Sequence, residues 1–244
     1  MLTGRDMKRY SRQIAIPDFG AEGQEKLKKS KVVIAGAGGL GSAAGTYLAT
    51  AGIGHIVIID DDTVELSNLN RQTLHRDNDI YKCKAASAKE ELSMINPDIE
   101  VKGIREKITE ENAVKLLRGA DAVVDCLDNF HTRYILNDGS ITSGIPLFHG
   151  ACREMGGQAS VIIPGRTACL KCIFPNPPPT KRIPILGAVA GTIGTIQATE
   201  VVKFIAGMKT TLAGKLLLYD ARFLAYELIE LERNAQCPSC GGIE

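Results

Sequence analysis

Apolar positions in this chain fall into two kinds of run. Short unbroken ones, VVIA at 32–35, IVII at 56–59 and AVV at 122–124, have the length and β-branched content of strands buried on both faces. Longer stretches with helical spacing lie between them. Residues 42–50 follow the first run directly and read as a helix, so 31–60 predicts a right-handed β-α-β unit with two parallel strands. Residues 82–95 (KCKAASAKEELSMI) predict an amphipathic helix ended by Asn96-Pro97, followed by a strand over 99–104. A helix over 109–117 with a Thr109 cap, a strand over 121–128 and a helix over 130–143 come next. Strands at 145–151 and 158–164 flank Gly156-Gly157, which predicts a hairpin and a sheet that turns mixed in its second half.

Two regions depart from this alternation. Residues 5–29 read as one or two short helices interrupted by Pro17, carrying the basic residues Arg5, Lys8, Arg9 and Arg12. Such a segment is either a solvated face or an arm that delivers an arginine to phosphate. The uncharged stretch 183–199 is too short for a membrane span and contains Pro184, Gln197 and three threonines. It predicts a helix over 187–205 buried on most sides, with Gly187, Gly191 and Gly194 permitting close approach. The prolines between residues 174 and 187 predict an extended crossing loop.

At 244 residues the chain can form one α/β domain: an arm over 1–30, a nucleotide-binding core over 31–165, and a crossing loop, buried helix and tail over 166–244. The expected fold is a Rossmann-like doubly wound sheet, parallel in its first half and mixed in its second. Net charge is +1, with 29 basic and 28 acidic residues, so no general field favours nucleic acid or a membrane surface. The charged N-terminus is no signal peptide, and the seven cysteines point to a reducing, cytoplasmic setting.

Candidate chemistry clusters where the predicted strands end. GAGGLG at 36–41 stands between a strand and a helix: Gly36 for the tight turn, Gly38 for close approach to phosphate, Gly41 for helix packing, with Gly39 beside them. The helix start favours an anion. Asp60 closes the next strand about 20 residues on, where a ribose-binding acid is expected. The polar loop 63–76 places Asn68, Arg71, Gln72 and Arg76 beyond that strand, as ligand residues or as a surface turn. Lys82 and Lys84 open a helix whose dipole disfavours cations, a penalty that a ligand anion would remove. Asp125 and Asp128 end a buried strand, and Asp128-Asn129 either hold a metal, orient an acyl group or cap the next helix. Cys169-x-x-Cys172 and Cys237-x-x-Cys240 match a structural Zn2+ shell better than a redox dithiol, which expects one pair in a thioredoxin-like unit. Cys83, Cys126 and Cys152 read as small core residues.

Taken in one order, RYSRQI (9–14), GAGGLG, the aspartates from Asp60, SNLNRQ (67–72), Lys84, DCLDN (125–129) and two C-x-x-C pairs resemble the ThiF/MoeB/HesA adenylyltransferases, relatives of the ubiquitin-activating enzymes, and among them the MoeB and ThiF sulfur-carrier activators. The resemblance covers nearly the whole chain. It implies ATP and Mg2+ as cofactors and adenylation of the C-terminal Gly-Gly carboxylate of a small ubiquitin-like sulfur carrier (MoaD/ThiS-like), with release of pyrophosphate, in molybdopterin, thiamine or related sulfur transfer. It further implies Asp60 on the ribose, Asn68, Arg71 and Lys84 on the triphosphate, Asp128 near the reacting phosphate through Mg2+, and Arg12 entering the partner's site of a homodimer. No cysteine lies in the crossing loop, so no enzyme thioester is expected there, and no rhodanese-like domain follows the second cysteine pair, so sulfur is expected from a separate donor. Two other readings use the same turn: an NAD- or FAD-dependent oxidoreductase, in which SNLNRQ and the cysteine pairs have no part, and a non-catalytic nucleotide-binding scaffold. A transfer RNA modifier of the same superfamily fits the neutral charge and the cysteine tail less well.

Overall fold

A computed structural model describes residues 1–177 and 184–242. The arm forms three helices, α1 (Gly4–Arg9), α2 (Ser11–Ile14) and α3 (Gly20–Lys29). Thr3 and Asp6 cap α1 reciprocally, and Gln13 at the end of α2 donates to the Ala51 carbonyl. Then β1 (Lys31–Ala35), α4 (Gly39–Ala51) and β2 (His55–Ile59) form the expected unit, β1 and β2 pairing in parallel from Lys31↔His55 to Ala35↔Ile59.

The chain continues through α5 (Lys84–Ile95), β3 (Glu100–Ile104), α6 (Ala113–Leu117), β4 (Ala122–Asp125) and α7 (Phe130–Ser143). It then forms β5 (Leu147–Arg153), β6 (Gly156–Ile162), α8 (Leu170–Ile173), α9 (Gly187–Ala206), β7 (Lys215–Asp220) and β8 (Ala225–Glu230). One eight-stranded sheet results, in the order β3-β2-β1-β4-β5-β6-β7-β8. The β3 to β5 portion is parallel, and β6, β7 and β8 are antiparallel, so the doubly wound, partly mixed sheet is the one expected. Apolar residues of α4, α5 and α9 cover one face, and those of α6, α7 and α8 the other. No helix among the described residues is long and apolar enough to cross a membrane.

Several boundaries differ from the sequence expectation. The helix expected from Thr109 starts only at Ala113, because the Asn112 side chain accepts from Thr109 N–H and donates to the Lys107 carbonyl, a local alternative to the helical ladder. The hairpin turns at Glu154-Met155, with Glu154 at φ 54°, and Gly156-Gly157 lie inside β6. Gly157 is needed there because a Cβ would meet Ile193 of α9 at 2.4 Å. Strand β4 stops at Asp125, three residues short of the expected end. Strands β7 and β8 stand where only a tail was expected. The expected extended proline segment falls in part on 178–183, outside the described residues.

Helix α9 is buried as its sequence predicts. Gly194 lets it approach α4, since a Cβ there would lie 2.5 Å from the Leu40 carbonyl oxygen. Gln197, the polar residue within its apolar run, donates at 2.8 Å to both the Asp125 carbonyl at the end of β4 and the Phe148 carbonyl near the start of β5. A buried amide is tolerated because these partners satisfy it.

Candidate functional site

The order in which strands are added reverses between β1 and β4, which run parallel, and this makes their carboxyl ends the switch point where open α/β sheets bind ligands. The glycine turn leaves β1 there and DCLDN leaves β4. Gly36 has φ +100°, and an added Cβ would lie 2.7 Å from the Cys126 carbonyl oxygen, so turn and β4 loop touch. Gly41 is tighter: its Cβ would lie 2.0 Å from the Gly36 oxygen. Only glycine allows α4 to start this close to the strand.

The turn is gripped through its own backbone. Ala37 N–H donates to Asp60 Oδ2 at 2.7 Å, and the Ala37 carbonyl accepts from His75 Nε2 at 3.0 Å. His75 Nδ1 in turn lies 2.9 Å from Ser87 Oγ on α5, so this imidazole ties the turn to the helix that begins with Lys84. Burial pushes the His75 imidazole down and the Asp60 carboxyl up.

The polar loop lies over the turn, as the sequence anticipates. Arg71 packs on Gly39 and Gly187, between the starts of α4 and α9, and its Nη1 donates to the Ser67 carbonyl at 2.8 Å and to Asn70 Oδ1 at 3.0 Å. Gln72 Nε2 faces Gly38 at 3.6 Å from where a Cβ would stand. Its buried Oε1 has no hydrogen-bond partner, an orphan acceptor beside the most open glycine of the turn. Asn68 plays a local part: its Oδ1 accepts from Glu65 N–H and shapes the loop.

The unfavourable cations at the start of α5 have acidic partners in the chain itself. Lys84 Nζ is buried and 2.9 Å from Asp62 Oδ2, and Lys82 Nζ is 2.8 Å from Asp79 Oδ1. Beyond β4, Asp128 is exposed and Asn129 caps α7 by accepting from Thr132 N–H at 2.9 Å, with its own amide 3.2 Å from Asp128 Oδ1. Asp125 points inward and is fully buried against His149. Arg71 and Gln72 thus lie against turn glycines, Asp60 grips Ala37 between them, and the Cys126 carbonyl, two residues before Asp128, touches Gly36. Arg12 does not join them. It is exposed on α2, whose neighbour Gln13 binds the far end of α4, about 18 Å from the turn by the rise of a 13-residue helix.

Four sulfurs meet elsewhere, on the α7 face of the sheet. Cys169 lies 3.6 Å from Cys237 and 3.9 Å from Cys172, Cys172 lies 3.4 Å from Cys240, and all four sulfurs fall within 4.8 Å of one another. Burial works against ionising Cys237, yet backbone N–H groups of Ser239 and Cys240 and the neighbouring thiols bring it down to about 7. A cluster of four cysteines in this arrangement suits a metal ion. Cys126 is buried and Cys152 half-buried, their thiols pushed up by burial, Cys152 to about 12.

Sequence reasoning did not single out His75, Arg133, His149 or Gln158. Their signal is weak in the chain, since each acts by touching a backbone group or a partner remote in sequence.

The model of the ThiF family matches residues 10–239. The chain is 42% identical over 246 residues to the SAMP-activating enzyme E1 of Haloferax volcanii, covering 98% of this chain and 91% of that one. It is 40% identical over 250 residues to the sulfur carrier protein adenylyltransferase of Thermus thermophilus, covering 98% and 92%. Against the adenylyltransferase and sulfurtransferase MOCS3 of Drosophila sechellia it is 43% identical and spans 54% of that protein's length. Among solved structures it is similar to E. coli MccB with ATP, at TM-score 0.83 and 27% identity, covering 96% of this chain and 75% of that one.

Proposed function

Because the chain belongs to the ThiF family, we propose that it is an adenylyltransferase that uses ATP to activate the C-terminal Gly-Gly carboxylate of a small ubiquitin-like sulfur carrier, releasing pyrophosphate. The sulfur-carrier and SAMP-activating names of its relatives support this class of substrate. The observation that supports the reading is the packing of Arg71 on Gly39 of the glycine turn at the switch point, with the Cys126 carbonyl of the DCLDN loop against Gly36. An oxidoreductase has no part for SNLNRQ or the cysteine pairs, and a scaffold would bind ATP without releasing pyrophosphate.

The chemistry joins two anions, a carboxylate and an α-phosphate, so catalysis consists of positioning and charge neutralisation. Asp60 holds the ribose, and the glycines at 36, 38, 39 and 41 leave room for phosphate along the backbone. Gln72, through its orphan Oε1, and Asn129 complete the nucleotide contacts. Arg71 and Lys84, with Asn68 shaping the loop, take the triphosphate charge as pyrophosphate departs. The exposed carboxylate of Asp128 suits Mg2+, a hard cation that keeps water and phosphate oxygens around it; when bound, it would neutralise charge at the reacting phosphate. Arg12 is too far from its own turn and serves the site of a second copy, which makes a homodimer the working unit.

The four cysteines hold Zn2+. A tetrahedron with zinc–sulfur bonds of about 2.3 Å has sulfur–sulfur edges of about 3.8 Å; three of the six edges here measure 3.4, 3.6 and 3.9 Å, and all lie within 4.8 Å. The sulfur itself comes from a separate donor; of the cysteines outside the cluster, Cys126 and Cys152 are shielded and their thiols are pushed up by burial. Seven free cysteines support a reducing, cytoplasmic setting. The match over residues 10–239 supports one domain composed of arm, core and tail.

The test is carrier-dependent exchange of labelled pyrophosphate into ATP. Arg71→Ala and Asp128→Ala are each expected to lower it by about 100-fold or more; full exchange in both would remove these assignments.

A further inference from the structure

Directly behind Asp128 lies a set of ionisable groups that the adenylation chemistry does not use. Asp125 and His149 are completely buried and Arg133 nearly so. His149 Nδ1 is 2.7 Å from Asp125 Oδ2, Arg133 Nε is 3.7 Å from Asp125 Oδ1, and Gln158 Nε2 is 3.1 Å from His149 Nε2. These contacts fix the imidazole: Nδ1–H donates to the carboxylate, and Nε2 accepts from the Gln158 amide. His149 is thus neutral, and the Asp125–Arg133 pair carries the charge.

Both ends of this set close on one residue. Leu127 N–H donates to Asp125 Oδ1 at 3.1 Å, and the Leu127 carbonyl accepts from Arg133 Nη2, which also binds the Gly150 carbonyl at 2.9 Å. Leu127 stands between the Cys126 carbonyl that abuts the glycine turn and the exposed Asp128. Buried ion pairs are weak sources of stability, because desolvation offsets much of their attraction. Their constancy of geometry is the better reason for this arrangement. Without the His149 donor, Asp125 Oδ2 would be an unsatisfied buried oxygen, and the carboxylate would turn and release Leu127.

We propose that Asp125, His149, Arg133 and Gln158 form a positioning device that clamps the Leu127 peptide and thereby aims the Asp128 carboxylate at the reacting phosphate. The inference rests on the adenylation reading above. His149 and its companions are positioning residues, remote from substrate.

His149→Leu removes the donor, His149→Asn keeps an N–H near the Nδ1 position, and Gln158→Leu removes the support at Nε2. Amide hydrogen exchange at Leu127, measured on the ligand-free full-length protein, is expected to quicken at least about tenfold in His149→Leu, to stay near wild type in His149→Asn and to quicken less in Gln158→Leu. Pyrophosphate exchange with a Gly-Gly-ending sulfur-carrier protein as probe is expected to lose about tenfold in kcat in His149→Leu, with the KM for ATP within about twofold and recovery in His149→Asn. Unchanged Leu127 protection in a folded His149→Leu overturns the proposal, as does a rise in the KM for ATP at constant kcat. Should His149→Leu fail to fold, Gln158→Leu decides, and unchanged protection there overturns it. A wild-type protein that exchanges no pyrophosphate with any carrier defeats the adenylation reading, while the Leu127 measurement still decides whether the clamp exists.

Discussion

The glycine turn and the four-cysteine cluster are held together by opposite means. The turn is complete without a ligand: Gly36 N–H binds the Ile59 carbonyl, Ala37 is gripped at its N–H by Asp60 and at its carbonyl by His75, and all of it stands on a covered parallel sheet. The cysteine cluster joins sulfurs 68 residues apart, next to a strand, β8, whose residues are all exposed. Around it the tail is tied by few contacts, among them Arg233 to the Cys240 carbonyl and Ser239 Oγ to Asp138 at 2.7 Å. The first site is preorganised by folding, and its cost is met by the core. The second gathers four thiols that a metal ion would hold together, and a structural ion of the proposed kind would supply folding energy directly.

Three perturbations separate the two. The largest effect is expected from metal removal: a strong chelator should open the tail to protease and lower the melting temperature by about 10 °C, since zinc binding of such shells is worth roughly 10 kcal/mol or more in small peptides. ATP affinity measured by calorimetry on the intact chain should change less than about threefold. A parallel loss of ATP binding would show that the sites are one unit. Gly41→Ala is the converse. Its Cβ has no room beside the Gly36 oxygen, so ATP affinity should fall by about 30-fold or more, with metal content unchanged on elemental analysis. Loss of metal as well would break the contrast.

The smallest effect is in acid. The His75 and His149 imidazoles are both held below their ordinary value of 6.5 by burial. The unfolded chain therefore binds more protons than the folded one in the window below 6.5, and stability is full above that window and lost as pH falls through it. Urea titrations from pH 7.5 to 5 should show a falling midpoint, with a shallower slope in His75→Gln, which keeps a donor near Ala37. An equal slope in the variant would show that His75 is not among the titrating groups.

Much of this was legible in the chain because the relevant signals are local. Strand, glycine turn and helix follow each other within 31–51, and each glycine has one steric job that a short window reveals. The parallel order, the buried α9 and the grouping of four cysteines followed from the same kind of reading. The strands β7 and β8 were not legible, because β8 is exposed on both faces and carries no clean alternation. Asp125 and Asp128 look alike in DCLDN, but the end of β4 turns one inward to His149 and leaves the other in solvent. His149 finds its partner 24 residues away and His75 closes on a backbone carbonyl 38 residues back, distances at which no spacing rule operates. Arg12 shows the same limit, since its expected site lies in a second molecule.

The Lys84–Asp62 pair bears on how the proposed nucleotide would arrive. With the ammonium already matched by a carboxylate in the resting protein, Lys84 itself adds little long-range pull on a polyanion. Association by stopped flow should therefore be nearly indifferent to ionic strength, and Asp62→Asn should quicken it and make it salt-dependent. In the proposed reaction an incoming phosphate would change the companion of an ammonium that already has one, and selectivity would be exercised after encounter, in the exchange itself.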